Sequence, residues 1–196
     1  MFVTFEGIDG CGKTTQVELL RAELERRGRE VVATREPGGT ELGEGIRQLL
    51  LQGPAMTSWA EACLFAAARA ELVAEQIRVA LDRGAWVLSD RYFDSSLAYQ
   101  GIGRSLGLDE VLQLNLTVTG GLWPDRTFLL ALTAEEASSR RDREPDRLEG
   151  ELGLQALVEG GYEQVAARFP DRIVRLDATR RPEEIAEEIR EHLGLS

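Results

Sequence analysis

Lysine is nearly missing from this chain: Lys13 is the only one among 196 residues, and every other basic side chain but His192 is an arginine. Any step that needs a lysine therefore falls on one position. His192, the single histidine, lies in the last helical stretch and reads as a favourable charge at a helix C-terminus, not as a catalyst. Cysteine is scarce too. Cys11 and Cys63 make no metal-ligand pair and indicate no disulfide framework, so each reads as a buried or site-lining thiol. Basic residues are outnumbered 23 to 34, and the net charge of −11 disfavours nucleic acid and anionic membrane as partners. Any phosphate-handling site must then be a local basic pocket on an acidic body. No apolar run approaches the ~18 residues of a membrane span. The opening MFVTFEGIDG has acids where a signal peptide needs basic residues. A cytoplasmic protein is expected.

What is present is an alternation of short apolar runs and helical patterns. Phe2 to Phe5, Val31 to Ala33, Trp86 to Leu88, Thr127 to Leu132 and Ile173 to Leu176 read as strands, the fourth apolar enough to be covered on both faces. Helical spacing follows from near Lys13 to Gly28, around Leu42 to Leu50, and through the alanine-rich Ser58 to Arg83. Further helices are read through Leu97 and Tyr99, around Leu112, and from Pro182 to Leu193. Strands alternating with helices predict an α/β fold with a central parallel sheet covered by helices on both faces. The length suits one domain over residues 1–196. A densely charged stretch from Arg140 to Glu149 is expected to be mobile.

The chemistry-bearing motif is Gly7-Ile8-Asp9-Gly10-Cys11-Gly12-Lys13-Thr14, which fits G-x-x-x-x-G-K-[ST] directly between the first strand and the first helix. In such a P-loop, glycines let successive N–H groups converge on phosphate oxygens, and the helix N-terminus adds partial positive charge. Lys13 is expected to reach the β- and γ-phosphates, and Thr14, followed by Thr15, to offer its hydroxyl to Mg²⁺. The fold class is thus the P-loop NTPase three-layer arrangement. With its one lysine committed here, the chain has none for the Asn-Lys-x-Asp segment with which a GTPase reads guanine. The third strand ends in Asp90-Arg91-Tyr92, pairing a metal-side carboxylate with a cation suited to clamping a second phosphate.

Eight ordered segments then carry a resemblance. They are Phe5-Glu6-Gly7-Ile8-Asp9-Gly10, Arg35-Glu36-Pro37-Gly38-Gly39-Thr40, Phe65-Ala66-Ala67-Ala68-Arg69, Asp90-Arg91-Tyr92, Ser95-Ser96, Tyr99-Gln100-Gly101, Trp123-Pro124-Asp125 and Asp146-Arg147-Leu148-Glu149. Along nearly its whole length the chain resembles the thymidylate kinases, P-loop nucleoside monophosphate kinases.

The resemblance implies transfer of the γ-phosphate of ATP to dTMP with Mg²⁺, the metal being held by Thr14 and Asp90. It implies that Phe65 stacks on thymine, Arg69 meets its O4, and Ser96 and Gln100 address the base edge. Tyr99 would crowd the 2′ position and Asp9 approach the 3′-OH. Arg91 and Arg47 would hold the dTMP phosphate beside the Glu36-Pro37 loop, where a cis peptide is plausible. The charged stretch would be a lid. Since the P-loop itself contains no arginine, Arg143 or Arg147 would supply the catalytic cation. Relatives are homodimers, so a twofold dimer is expected, with the alanine-rich stretch from Ala60 to Ala80 as a packing face. Glu159 departs from the family pattern, which has a basic residue before Gly161-Tyr162. Two rivals stay open: a deoxynucleoside kinase with Glu36 as base, and a non-catalytic nucleotide-binding module.

Overall fold

The computed structural model describes residues 1–139, 148 and 153–195. Its centre is a five-stranded, wholly parallel sheet in the order β2-β3-β1-β4-β5. The strands are β1 (Phe2–Glu6), β2 (Val31–Arg35), β3 (Trp86–Asp90), β4 (Arg126–Ala131) and β5 (Ile173–Asp177). All five expected strands form. β1 is buried along its whole length because it pairs on both sides, with β3 (Phe5 opposite Asp90) and with β4 (Phe5 opposite Phe128). A central strand buried on both faces can be built of Phe, Val and Thr only if each polar group is matched, and Thr4 and Thr127 share a buried hydrogen bond of 2.7 Å across β1 and β4. Chain order reverses direction at β1, so the crevice beyond the C-terminal ends of β1 and β3 is where a ligand site belongs in such a sheet.

The helices are α1 (Lys13–Arg26), α2 (Glu41–Gln52), α3 (Ser58–Leu72), α4 (Arg78–Asp82), α5 (Phe93–Ser96), α6 (Leu108–Val118), α7 (Ala134–Ser139), α8 (Leu154–Arg168) and α9 (Pro182–His192). The expected helical stretch over Ser58 to Arg83 forms with continuous helical backbone, α3 passing into α4 through a wide π turn, Val73–Ile77. A second π segment, Leu97–Gly103, continues α5 and carries Tyr99 and Gln100. Such wide turns recur at functional sites because they shift the phase of the side chains that follow. Gly161 of α8 allows close approach: a Cβ on it would stand 3.0 Å from the Ala98 carbonyl oxygen.

Sequence patterning did not predict α7 or α8, the latter weakly amphipathic and interrupted by Gly160-Gly161. The departure at Glu159 finds a structural role, since its carboxylate accepts the Ala134 N–H (3.0 Å) in the first turn of α7. The alanine-rich stretch also divides. Ala62, Ala66, Ala68 and Ala80 belong to the chain's own core, whereas Ala60, Cys63 and Ala67 are exposed. No helix among the described residues is long and apolar enough to cross a membrane.

Candidate active site

A cleft of about 1100 Å³ opens at the C-terminal edge of β1, β2 and β3. Of the expected site residues, Asp9, Gly10, Gly12, Lys13, Thr14, Thr15, Glu36, Pro37, Arg47, Phe65, Asp90, Arg91, Ser96, Tyr99 and Gln100 line it. Gly7, Ile8, Cys11 and Arg69 do not. Arg143 and Arg147 lie outside the described residues.

The loop between β1 and α1 forms because β1 runs into the sheet centre and Gly7 must turn the chain sharply there. Gly7 has φ +134°, and a Cβ on it would meet the Leu130 carbonyl oxygen at 2.6 Å. Only glycine fits. Gly10 and Gly12 are also at positive φ, and Gly12 caps α1. The N–H groups of Gly10, Gly12, Lys13, Thr14 and Thr15 donate no hydrogen bond to the described residues, while Cys11 N–H donates within the loop to Ile8 O. A run of N–H groups at a helix N-terminus is an anion nest. Ile8 and Cys11 instead turn their side chains into the core, at 3% and 2% exposure. Lys13 bends back over the loop, its Nζ donating to Gly7 O (3.1 Å) and Ile8 O (2.9 Å). Thr14 Oγ1 donates to Asp90 Oδ2 at 2.6 Å, which joins the end of β3 to the loop.

Arg91 stands at the meeting point. Its backbone is left-handed, φ 75°, a conformation costly for a non-glycine residue. It is held by Arg91 N–H to Phe5 O (2.9 Å) and by Ser89 Oγ donating to Arg91 O (2.6 Å). The guanidinium reaches Asp9 Oδ1 (2.8 Å), Gly7 O (2.9 Å), Ser95 Oγ (3.0 Å) and Tyr162 Oη (2.9 Å). Burial works against its charge, but Asp9 and the surrounding groups outweigh that and hold it protonated. Tyr99 covers the pair, with Arg91 5.5 Å from its ring centre and its hydroxyl 3.5 Å from Asp9 Oδ2.

Behind Arg91 lies a carboxylate with no role assigned from sequence. Glu6 is 1% exposed; its Oε2 accepts from Ser95 Oγ (2.5 Å) and Tyr162 Oη (3.1 Å), and its Oε1 from Tyr92 N–H (2.7 Å). Both hydroxyls can donate to Glu6, which turns their lone pairs toward Arg91. Burial, then the nearby Asp94, pushes Glu6 up to about 7, against the opposing pull of Ser95 and Arg91. Glu6 and Ser95 sat inside matching sequence segments, so their presence was visible. Tyr162 comes from the unpredicted α8, and its reach to Arg91 had no local signal.

The other wall is more closed than its sequence suggests. Arg69 does not line the cleft: it is 1% exposed and its guanidinium is tied to four neighbours, Glu36, Ser96, Asn115 and Tyr92. Nε donates to Glu36 Oε2 (2.7 Å), NH1 to Ser96 Oγ (3.0 Å) and to Asn115 Oδ1, and NH2 to Tyr92 O (3.2 Å); NH2 also pairs ionically with Glu36 Oε2 (2.5 Å). The physical reason is Glu36, a 5% exposed carboxylate that requires a cation and takes the nearest one. Burial raises the Glu36 pKa and Arg69 lowers it again, with burial the larger effect. The Glu36-Pro37 peptide is cis, as anticipated, and Arg47 donates to Pro37 O (2.8 Å).

Comparison with known proteins agrees with this geometry. The family model for thymidylate kinase matches residues 5–189. A thymidylate kinase of Synechococcus sp. is 50% identical over 190 residues, covering 96% of this chain and 93% of the relative. One from Bifidobacterium longum subsp. infantis is 49% identical over 191 residues, covering 94% and 82%. The crystal structure of thymidylate kinase from Ehrlichia chaffeensis superposes with a TM-score of 0.79 at 34% identity over 98% of both chains. The chain therefore belongs to the thymidylate kinase family and is a nucleoside monophosphate kinase.

Proposed function

We propose that the cleft moves the γ-phosphate of ATP onto dTMP, giving dTDP and ADP, by direct in-line transfer with no covalent enzyme intermediate. The observation that carries this reading is Arg91. It is the cation held by hydrogen bonds between the anion nest and the opposite wall, 2.8 Å from Asp9 of the P-loop. The donor phosphates lie on the N–H groups of Gly10 and of Gly12 to Thr15, with Lys13 swinging from its loop carbonyls to the β- and γ-phosphates. Arg91 and Arg47 hold the phosphate of dTMP. Its oxygen is already ionised at neutral pH, so no strong general base is needed, and positioning with charge neutralisation supplies the rate.

Phe65 stacks on thymine, Gln100 and Ser96 face its edge, and Asp9 and Tyr99 face the sugar. Arg69 stands behind Ser96 and meets O4 by exchanging its NH1–Ser96 bond for one to the base. Arg143 or Arg147 supplies the remaining cation.

Thr14 and Asp90 suit Mg²⁺. They set two hard oxygen donors side by side at the nest, and no cluster of three His, Cys, Asp or Glu among the described residues would offer a protein cage instead. A bound Mg²⁺ would neutralise phosphate charge as it develops. The protomers associate as a twofold dimer, a reading supported by the exposed small face of Ala60, Cys63 and Ala67 on α3 and by exposed Leu42, Leu49 and Trp59 nearby in sequence. Sedimentation at micromolar concentration tests it, a monomer mass being the contrary result.

For the reaction itself, the decisive assay supplies ATP and Mg²⁺ with either dTMP or thymidine and measures ADP and product. Turnover of dTMP and none of thymidine is expected. Thymidine phosphorylation without dTMP turnover would make the enzyme a nucleoside kinase with Glu36 as base.

A further inference from the structure

Helix α3 places Glu61, Phe65 and Arg69 four residues apart, and hence on one face. Phe65 lines the cleft, and Arg69 stands behind Ser96. Glu61 completes the stripe and has no part in the reading above. It is 1% exposed, too buried to be a solvated charge. Arg104 grips it from the end of the π segment, Nε to Oε1 and NH2 to Oε2, both at 3.2 Å. One helical step earlier, Gln100 Nε2 donates to the same Glu61 Oε1 at 3.0 Å.

The consequence is directional. An ionised carboxylate accepts hydrogen bonds and never donates one, whereas a glutamine amide has a donating and an accepting end. With Glu61 beneath it, Gln100 must turn its NH₂ inward. Reversing the amide would set its oxygen against a carboxylate oxygen with no proton between them. Gln100 is 1% exposed and lines the cleft, and its Oε1 accepts no hydrogen bond from the described residues. The oxygen is the atom left for a ligand.

We infer that Glu61, held by Arg104, determines base specificity by fixing Gln100 as a hydrogen-bond acceptor toward the nucleobase. The acceptor so presented selects pyrimidines with a proton on N3 and rejects those with a bare N3. Thymine and uracil carry N3–H between two carbonyls; cytosine offers a lone pair at the same place and meets an oxygen. Glu61 touches no substrate. It is a positioning residue, and the inference rests on the reading of Gln100 as a base-facing residue.

The test is the ratio of kcat/KM for dTMP to that for dCMP, with dUMP as a third acceptor. In Glu61→Gln, Arg104 retains the new amide oxygen and its NH₂ faces Gln100, which is then free to reverse. The expected result is a fall of about tenfold or more in the dTMP:dCMP ratio, one mismatched hydrogen bond being relieved. The rate with dUMP should fall in parallel with dTMP, and KM for ATP should stay within about twofold, since Glu61 lies away from the P-loop. Glu61→Asp, which keeps an acceptor-only side chain, should preserve the ratio. Should Glu61→Gln fail to fold, the double variant Glu61→Gln/Arg104→Gln removes both buried charges together and carries the same expectation. An unchanged ratio in the folded variant, while Gln100→Leu abolishes discrimination, would overturn the role of Glu61 alone. An unchanged ratio in Gln100→Leu would overturn the base-facing reading of Gln100 as well.

Discussion

The phosphate cradle draws on consecutive residues, Gly7 to Thr15, and works through main-chain N–H groups. The opposite wall gathers Glu36, Phe65, Arg91, Ser96 and Gln100 from separate parts of the chain and works through side chains. In the cradle only backbone shape is specified, so its glycines are irreplaceable, while Lys13 reaches nothing but loop atoms. In the wall the polar side chains are bonded to neighbouring side chains, Arg69 to Glu36 and Ser96, Gln100 to Glu61 and Arg91 to Ser95, with Arg91 also reaching across to Asp9 of the cradle. The first device is local and separable from stability. The second is tertiary, and the same bonds hold the fold and shape the site.

Substitutions can break that contrast. The largest effect is expected from Arg91→Met, which should lower dTMP turnover by about 10³-fold, as for loss of a transition-state donor, with KM for ATP changed little. Comparable kcat with dTMP in steady-state assays would remove Arg91 from the reaction.

Next in size is a difference in folding. Arg69→Met leaves the Glu36 carboxylate, whose side chain is 3% exposed, without its cation. It should cost about 3–5 kcal/mol in urea unfolding, with Arg69→Met/Glu36→Gln regaining most of this. Lys13→Met should abolish activity yet cost no more than about 1 kcal/mol of stability. Equal destabilisation by the two single variants would erase the distinction between cradle and wall.

Glu6 offers a pH test. Its folded pKa, about 7, lies above the ordinary carboxylate value of 4.5, so the folded state binds the proton more tightly. That contribution is fully present below about pH 4.5 and is lost as pH rises through 7, amounting to roughly 3 kcal/mol. Thermal unfolding of Glu6→Gln between pH 5 and 8 should therefore be flatter than wild type; an identical slope would mean that Glu6 titrates normally.

The smallest effect is expected at the metal side. Thr14→Val should raise the Mg²⁺ concentration for half-activity about tenfold, and Thr14→Ser should not. Equal behaviour of the two would exclude the hydroxyl as a ligand.

The same contrast explains what the sequence disclosed. The five strands were legible because β-branched and aromatic runs bounded by glycine or proline are local signals, and the P-loop was legible because its requirements lie within eight residues. The long helix was readable in place but not in phase, since nothing in Val73–Ile77 marks a π turn. Helix α8 was missed because Gly160-Gly161 reads as a breaker, whereas in the fold Gly161 is needed for approach to Ala98. Phe65 and Gln100 were assigned to the site through resemblance, and both line the cleft. Spacing could not show that Arg69 faces inward to Glu36, that Glu61 lies under Gln100, or that Tyr162 reaches Arg91. Each is a partnership across more than 30 residues.

The central claim is that Arg91 grips the acceptor phosphate opposite the cradle. Calorimetric titration of wild type and Arg91→Met with dTMP and with thymidine isolates that grip. Wild type should bind dTMP more tightly than thymidine, and Arg91→Met should lose most of this difference while keeping its affinity for thymidine. An undiminished preference for dTMP in Arg91→Met would contradict the account.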